Sequence, residues 1–111
     1  MTMRYHDPSL EHDEAVRYLA TSDVSKVTEA LISIGLDEPN GDWAEHTCLQ
    51  FIEHPDDEIS AAAIVAIGHI ARRFGALDMT KVTPALEQAR RRSPSLSAAV
   101  NDAMDDIEMF T

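Results

Sequence analysis

The stretch from His54 to Phe74, HPDDEISAAAIVAIGHIARRF, decides the fold of this chain. Between Ile59 and Ile70 nearly every side chain is apolar, and His69 is the one polar side chain larger than serine. Both ends carry residues that favour helix ends, namely Asp56 or Asp57 as a cap, Arg72 and Arg73 in the last turn, and Gly75 as a left-handed stop. A helix that is apolar nearly all round must be covered on most sides. The stretch therefore predicts the central helix of an all-helical domain.

The length and composition of the chain agree with that prediction. A chain of 111 residues can bury one core, so we expect a single domain over residues 1–111, with residues 1–8 as a flexible N-terminal segment. Hydrophobic residues make up 44% and aromatic residues only 5%, which indicates a core of closely packed Ala, Ile, Leu and Val side chains. No segment alternates apolar and polar residues as a half-buried strand would. The predicted fold class is all-α.

The charge of the chain limits its partners. Its 20 acidic and 9 basic residues give a net charge of −11. This balance argues against direct binding to a nucleic-acid backbone or to an anionic membrane. It favours a basic protein partner, because complementary fields speed association. An acidic surface also serves solubility alone, so the positions of the charges carry the argument.

Cysteine content and hydropathy point to a cytoplasmic protein. Cys48 is the single cysteine, so neither an internal disulfide nor a cysteine zinc site can form. The first residues have no apolar signal core, and no segment approaches the ~20 apolar residues of a membrane span.

The spacing of apolar residues predicts six helices, separated by turn residues and capping side chains. The first predicted helix runs from Ser9 to Ala20, the second is capped by Asp23 and ended by Gly35, and the third is capped by Asp42 and ends near Pro55. The central helix is the fourth. The fifth is opened by Asp78 or Thr80 and closed by Arg90 to Arg92, and the sixth runs from Ser93 or Ser95 through Phe110.

The helices form pairs that resemble repeats. ALISIG (residues 30–35) matches AIVAIG (residues 63–68) at an offset of about 33, and AMDDI (residues 103–107) matches AIVAI (residues 63–67) at an offset of about 40. Periods of this size, built from two helices with a tight connection, are typical of α-solenoids. We therefore predict a short α-solenoid of about three helix pairs, with a plain six-helix bundle as the alternative.

Three segments, HPDDEISAAAIVAIGHIARRFGALD, VTPALEQA and DAMDDIEMF, resemble a family of small bacterial HEAT-like repeat proteins over residues 43–110. Members of that family are associated with polymorphic-toxin and contact-dependent growth-inhibition loci, where they act as immunity proteins. The resemblance implies HEAT-like helix pairs and a protein-binding role. HEAT-like repeats usually carry an inward arginine a few residues into the second helix, but Ser60 and Ala61 stand there. We therefore expect Asp56 and Asp57 alone to order this turn.

No arrangement of residues predicts catalysis, a cofactor or a metal site. His46 and His54 could share a helix face, but no carboxylate lies between them on the inward side. His69 could line a groove that binds a partner, although a buried imidazole bonded to a carbonyl or an acid is the favoured interpretation. Cys48 is interpreted as a core thiol. Gly68 lies mid-helix and predicts close approach of a neighbouring helix.

The last predicted helix carries an acidic stripe. Asp102, Asp105 and Asp106 follow i, i+3, i+4 spacing, which places them on one face, opposite the apolar one. The helix dipole disfavours anions in the C-terminal half, so stability alone would have selected Lys or Arg there. Two explanations stay open: the acidic stripe pairs with arginines at 72–73 or 90–92, or it faces a basic partner.

A second acidic group lies between the second and third helices. Asp42 is explained by capping, whereas Asp37, Glu38 and Glu45 have no such role and are better candidates for contact. The six candidate partner-binding residues are thus Asp37, Glu38, Glu45, Asp102, Asp105 and Asp106.

The resemblance and the charge together predict a binding protein and not an enzyme. The favoured hypothesis is an immunity protein that neutralises a cognate basic toxin domain, such as a nuclease, by blocking its active site or substrate surface. The alternatives are a general HEAT-type scaffold with no toxin partner and a small enzyme that uses His46 or His69. The sequence leaves open whether the protein is a monomer or a dimer.

Overall fold

The computed structural model describes residues 10–111, so the expected flexible segment at residues 1–8 and the predicted first residue of the first helix, Ser9, lie outside the described part. The described part is helical and contains no strand, which confirms the predicted fold class. The helices are α1 His12–Leu19, α2 Val24–Asp37, α3 Gly41–Ile52, α4 Asp57–Phe74, α5 Met79–Arg92 and α6 Ser97–Phe110, the last preceded by a 3₁₀ turn at Pro94–Leu96. No helix among these residues is long and apolar enough to cross a membrane.

Short polar side chains begin most of the helices, as their sequence positions predict. Asp23, Asp56 and Asp78 each accept hydrogen bonds from backbone N–H groups in the first turns of α2, α4 and α5. The predicted cap of α3 is wrong: Asn40, not Asp42, caps this helix, and its Oδ1 accepts from the N–H of Trp43 at 3.0 Å. Gly75 ends α4 with a φ of 69°, the left-handed conformation expected of it.

Helices α2, α4 and α6 lie side by side because glycines let their backbones approach. A Cβ on Gly35 would lie 2.8 Å from Cα of Ala66, and one on Gly68 would lie 3.6 Å from Cα of Ala103. The close approach expected at Gly68 is therefore confirmed. The predicted end of the second helix at Gly35 is wrong, because α2 continues to Asp37 and Gly35 is buried against α4.

The remaining helices complete three consecutive pairs. Helix α1 packs on α2, α3 on α4, and α5 on both α3 and α6. The C-terminal ends of the central layer lie together, since Arg73 of α4 reaches the carbonyl of Gly35 in α2 and Gly75 lies beside the carbonyl of Phe110 in α6. This is the predicted short solenoid of helix pairs.

Helix α4 is the central helix, and it is covered on all sides but one. Ile64, Ile67 and Ile70 are buried between the neighbouring helices. Ala61, Val65 and His69 form an uncovered stripe at i, i+4, i+8 spacing, and Val65 is 38% exposed.

The turn between α3 and α4 is ordered by more than its aspartates. Ser60 is fully buried, and its hydroxyl donates to the carbonyl of Ile52 at 2.6 Å. Nη2 of Arg92, at the end of α5, donates to the same carbonyl at 3.3 Å and to Ser60 Oγ at 3.2 Å. The expectation that Asp56 and Asp57 alone order this turn is therefore wrong, because the next helix pair supplies an arginine.

Asp57 also belongs to the junction with the next helix pair. Its Oδ2 accepts from Ser93 Oγ at 2.5 Å and from Ser95 Oγ at 3.1 Å. The hydrogen bond from Ser93, followed by that from Ser95, lowers the pKa of Asp57 below its usual 3.8. Asp56 caps α4 while Asp57 connects to the residues that open the last helix, so the two adjacent carboxylates have different roles.

Candidate protein-binding surface

A groove runs between α4 and α6 on the side that no other helix covers. Its volume is about 390 Å³. Small side chains at Ala99 and Ala103 line it, and Gly68 of α4 lies close to Ala103. The other lining residues are Val65, His69, Arg72, Asp102, Asp105 and Asp106. We call this depression the α4–α6 groove. It contains the whole acidic stripe predicted from the sequence, together with part of the uncovered stripe of α4.

Asp106 is the member of the acidic stripe that is paired within the chain. Its Oδ1 accepts from Arg72 Nη2 at 3.0 Å and from Arg72 Nε at 3.2 Å. Of the four other arginines considered from the sequence, three have different partners, and Arg91 is exposed with no hydrogen bond to another described residue. Arg73 donates to carbonyls at the end of α2, Arg90 binds Glu87 and Asn101, and Arg92 donates to the turn before α4. Internal pairing therefore explains one carboxylate of the acidic stripe.

Asp102 and Asp105 are exposed and stand on the rim of the α4–α6 groove. Within residues 10–111 neither carboxylate has a hydrogen-bond or ion-pair partner. Neither carboxylate caps α6, so they contribute nothing evident to the stability of the fold. Internal pairing does not explain these two carboxylates, so for them the second explanation, a basic partner outside the chain, is the one that remains.

His69 lies in the wall of the groove. It is half-buried, and within the described residues it makes no hydrogen bond, so the favoured interpretation of a buried, bonded imidazole is wrong. His69 is not fully buried because it lies on the uncovered stripe of α4. Burial lowers the pKa of His69 below its usual 6.5, Arg72 lowers it further, and Asp106 opposes both effects. His69 is therefore neutral at neutral pH.

The loop acids have structural partners that the sequence did not reveal. Glu38 is only 8% exposed; its Oε1 lies 2.8 Å from His12 Nδ1, and its Oε2 accepts from the N–H of Asn40 at 3.0 Å. Glu45 Oε2 accepts from the N–H of Asp78 at 2.7 Å. The premise that Glu38 and Glu45 have no structural role is thus wrong. Asp37 is the exposed last residue of α2.

The structure does not bring the six predicted contact residues into one depression. Asp102, Asp105 and Asp106 share the α4–α6 groove, whereas Glu45 lines a separate depression of about 290 Å³ with Asp42 and Phe74. That all six bind a partner stays a prediction. Sequence reasoning missed Val65 as a surface residue, although its i+4 relation to His69 was a usable signal.

Two of the other groups with reactive potential, Cys48 and His54, have structural roles. Burial raises the pKa of the Cys48 thiol to about 12, which fits a core thiol and not a nucleophile. His54 Nδ1 accepts from the N–H of Asp56 at 3.0 Å, so this ring serves the turn before α4. His46 is exposed, and no hydrogen bond joins it to another described residue. Residues 10–111 contain no group of three or more side chains placed to hold a metal ion.

Comparison with known proteins gives an informative match among solved structures. The chain matches no protein-family model and no curated protein. Among solved structures it is similar to a chain in the crystal structure of a CDI complex from Cupriavidus taiwanensis LMG 19424, with 27% sequence identity and a TM-score of 0.81. The similarity covers 98% of this chain and 98% of that one, so it extends over the whole solenoid.

Proposed function

We propose that this protein is an immunity protein of a contact-dependent growth-inhibition system, which binds and neutralises a cognate toxin domain. The observation that carries the proposal is the similarity, over nearly the whole of both chains, to a chain of a CDI complex. The resemblance of residues 43–110 to HEAT-like immunity proteins supports it independently, because that resemblance rests on the sequence alone. Both lines of support point to the same class of system, contact-dependent growth inhibition.

The charge of the chain supports a basic partner. With 20 acidic against 9 basic residues, the protein attracts a cationic surface over a distance of about one Debye length. Toxin domains that act on nucleic acids carry such surfaces, because they bind phosphates. On this proposal the carboxylates of the immunity protein take the place of substrate phosphates and block the active site or the substrate surface.

The proposed contact residues differ in how free they are to act. Asp102 and Asp105 are exposed and unpaired within residues 10–111, so they can bind a cation without losing an internal bond. Asp106, Glu38 and Glu45 already accept hydrogen bonds within the chain. We therefore expect Asp102 and Asp105 to contribute most. Asp37 is retained as an exposed candidate beside Glu38. The proposed location is the bacterial cytoplasm, and the proposed role is stoichiometric, with no catalytic step.

Co-expression tests the proposal. Where a large secreted protein is encoded directly upstream of this chain, its C-terminal domain is the toxin candidate to test. We expect that domain to stop growth when it is expressed alone, and growth to recover when this protein is expressed with it. A small acidic helical protein of unrelated sequence serves as the control for charge alone. If cells die equally with and without this protein, it is not the immunity protein of that toxin, and the HEAT-type scaffold becomes the better hypothesis.

A further inference from the structure

The uncovered stripe of α4 is apolar where a solvent-facing helix side would be charged. Val65 is 38% exposed, and the core is filled by buried residues other than this valine. Ala61 and His69, one turn to either side, are half-buried, and His69 is neutral at neutral pH because burial lowers its pKa. Val65 and His69 line the open α4–α6 groove, so within residues 10–111 this part of the helix face is not covered by another helix.

The α4–α6 groove beside this stripe carries an excess of negative charge. Three carboxylates line it against the single guanidinium of Arg72, which is already bound to Asp106. The unbalanced charge therefore belongs to Asp102 and Asp105. An apolar floor with unpaired acids on its rim is the arrangement that suits a long basic side chain, whose methylene stem packs on apolar surface while its charged end reaches the rim.

We propose that the α4–α6 groove receives a lysine or arginine side chain of the toxin domain, an inference that rests on the proposed function. The stem of that side chain packs against Val65, Ala99 and Ala103, and its cation binds Asp102 and Asp105. The groove of about 390 Å³ is large enough for one such side chain together with the backbone segment that carries it.

Other occupants fit this surface less well. An apolar segment would bury Asp102 and Asp105 without partners, which costs free energy. A second copy of this chain carries the same net charge of −11, so the two copies would repel each other. A nucleic acid is repelled for the same reason. Charge complementarity thus selects a basic partner.

The first test blocks the floor of the groove. In Val65→Lys a cation of the protein's own occupies the site, and we expect the affinity for the purified toxin domain, measured by titration calorimetry, to fall by about tenfold or more. The matched control is Val16→Lys on α1, where the valine is 41% exposed. It adds the same charge and the same side chain away from the groove, and its affinity should stay within about threefold of the wild type.

The second test removes the acids on the rim. The double variant Asp102→Asn with Asp105→Asn should weaken binding by about tenfold to a hundredfold, mainly through faster dissociation. The control is Glu11→Gln with Asp13→Asn, at exposed positions at the start of α1. It removes the same number of negative charges as the groove variant. A loss of long-range attraction alone would affect both double variants equally, and mainly through the association rate.

The outcomes separate this inference from the proposed function. Suppose that the wild type binds the toxin domain and protects cells, but both groove variants bind it as tightly as their controls do. The inference is then overturned, and the immunity role stands. If the wild type neither binds nor protects, the immunity role is wrong and the inference falls with it. Thermal unfolding followed by circular dichroism shows which variants fold. Should Val65→Lys not fold, the Asp102 and Asp105 double variant decides the question alone.

Discussion

The guanidinium of Arg92 lies 3.2 Å from the hydroxyl of Ser60, and this contact joins two consecutive helix pairs of the solenoid. Ser60 is fully buried, and its hydroxyl donates a hydrogen bond to the carbonyl of Ile52 at the end of α3. The same hydroxyl accepts a hydrogen bond from Arg92 of α5, so it connects α4 to both helices. Ser60 stands where the sequence resemblance predicts an inward arginine, and the arginine that reaches this turn comes from the following helix pair. The turn between α3 and α4 is thus ordered by a side chain from the next helix pair.

Ser60→Ala should lower the free energy of unfolding by about 1–2 kcal/mol, because it removes a buried hydrogen bond and leaves the guanidinium with one acceptor fewer. Arg92→Ala should cost a similar amount. The double variant should cost less than the sum of the two, since both changes break the same network. Urea unfolding of the three variants measures the coupling. The control is Ser25→Ala, an exposed serine in the first turn of α2. Additive effects would mean that Arg92 and Ser60 act independently.

The two mid-helix glycines make a second, contrasting prediction. Gly35→Ala should destabilise the protein by about 1–3 kcal/mol, because the new methyl group meets the backbone of Ala66 and two helices must separate. Gly68→Ala should be close to neutral. Its methyl group meets the Oδ2 atom of Asp106 at 2.8 Å, whose other oxygen binds Arg72, so the carboxylate must shift and loosen that ion pair. This exposed ion pair contributes little, and the gain of ~1 kcal/mol in helix propensity offsets the loss. Equal losses in urea unfolding would contradict this difference.

Glu38 makes a third prediction, which separates a structural role from a contact role. Glu38→Ala removes the acceptor for His12 and for the N–H of Asn40, so unfolding should become easier by about 1–3 kcal/mol. Glu29→Ala, at an exposed position of α2, should change stability by less than about 0.5 kcal/mol. Thermal unfolding and toxin affinity are measured on both variants. Unchanged stability with a large loss of affinity would mean that Glu38 acts chiefly as a contact residue.

The general fold could be predicted from the sequence because helical periodicity and capping residues are local signals. The central position of α4 followed from its apolar composition, and the approach of α6 followed from Gly68. Gly35 was misinterpreted because a glycine that ends a helix and a glycine that packs against a neighbour look alike in sequence. Only the position of Ala66 in the next pair distinguishes the two.

The candidate site could be predicted only in part, because pairing between charges depends on tertiary contacts. The spacing of the acidic stripe placed Asp102, Asp105 and Asp106 on one face, and the structure brings them to one groove. Which of them pairs with an arginine was not determined by spacing. The same limit applies to Glu38, whose partner His12 lies 26 residues away in the sequence.

His69 makes the last prediction, on the dependence of stability on pH. The pKa of His69 in the folded state lies below its usual 6.5 because of burial and of Arg72. When the pH falls below about 6.5, the unfolded chain takes up a proton at this site while the folded chain does not. The contribution of His69 to stability is therefore complete above pH 6.5 and is lost as the pH falls toward its folded pKa. His69→Gln should flatten this part of the stability curve, as measured by urea unfolding at a series of pH values.

Arg72 provides the matched test of the cause. Arg72→Gln removes a positive charge near the imidazole, so the pKa of His69, followed by NMR of its ring protons, should rise toward 6.5. Arg91→Gln removes an equal charge from an exposed position of α5 and should leave that titration unchanged. Asp106→Asn should move the pKa of His69 in the opposite direction, because it removes the one nearby charge that favours the protonated ring. A His69 that titrates at or above 6.5 in the wild type would mean that the groove is more open to solvent than its geometry indicates.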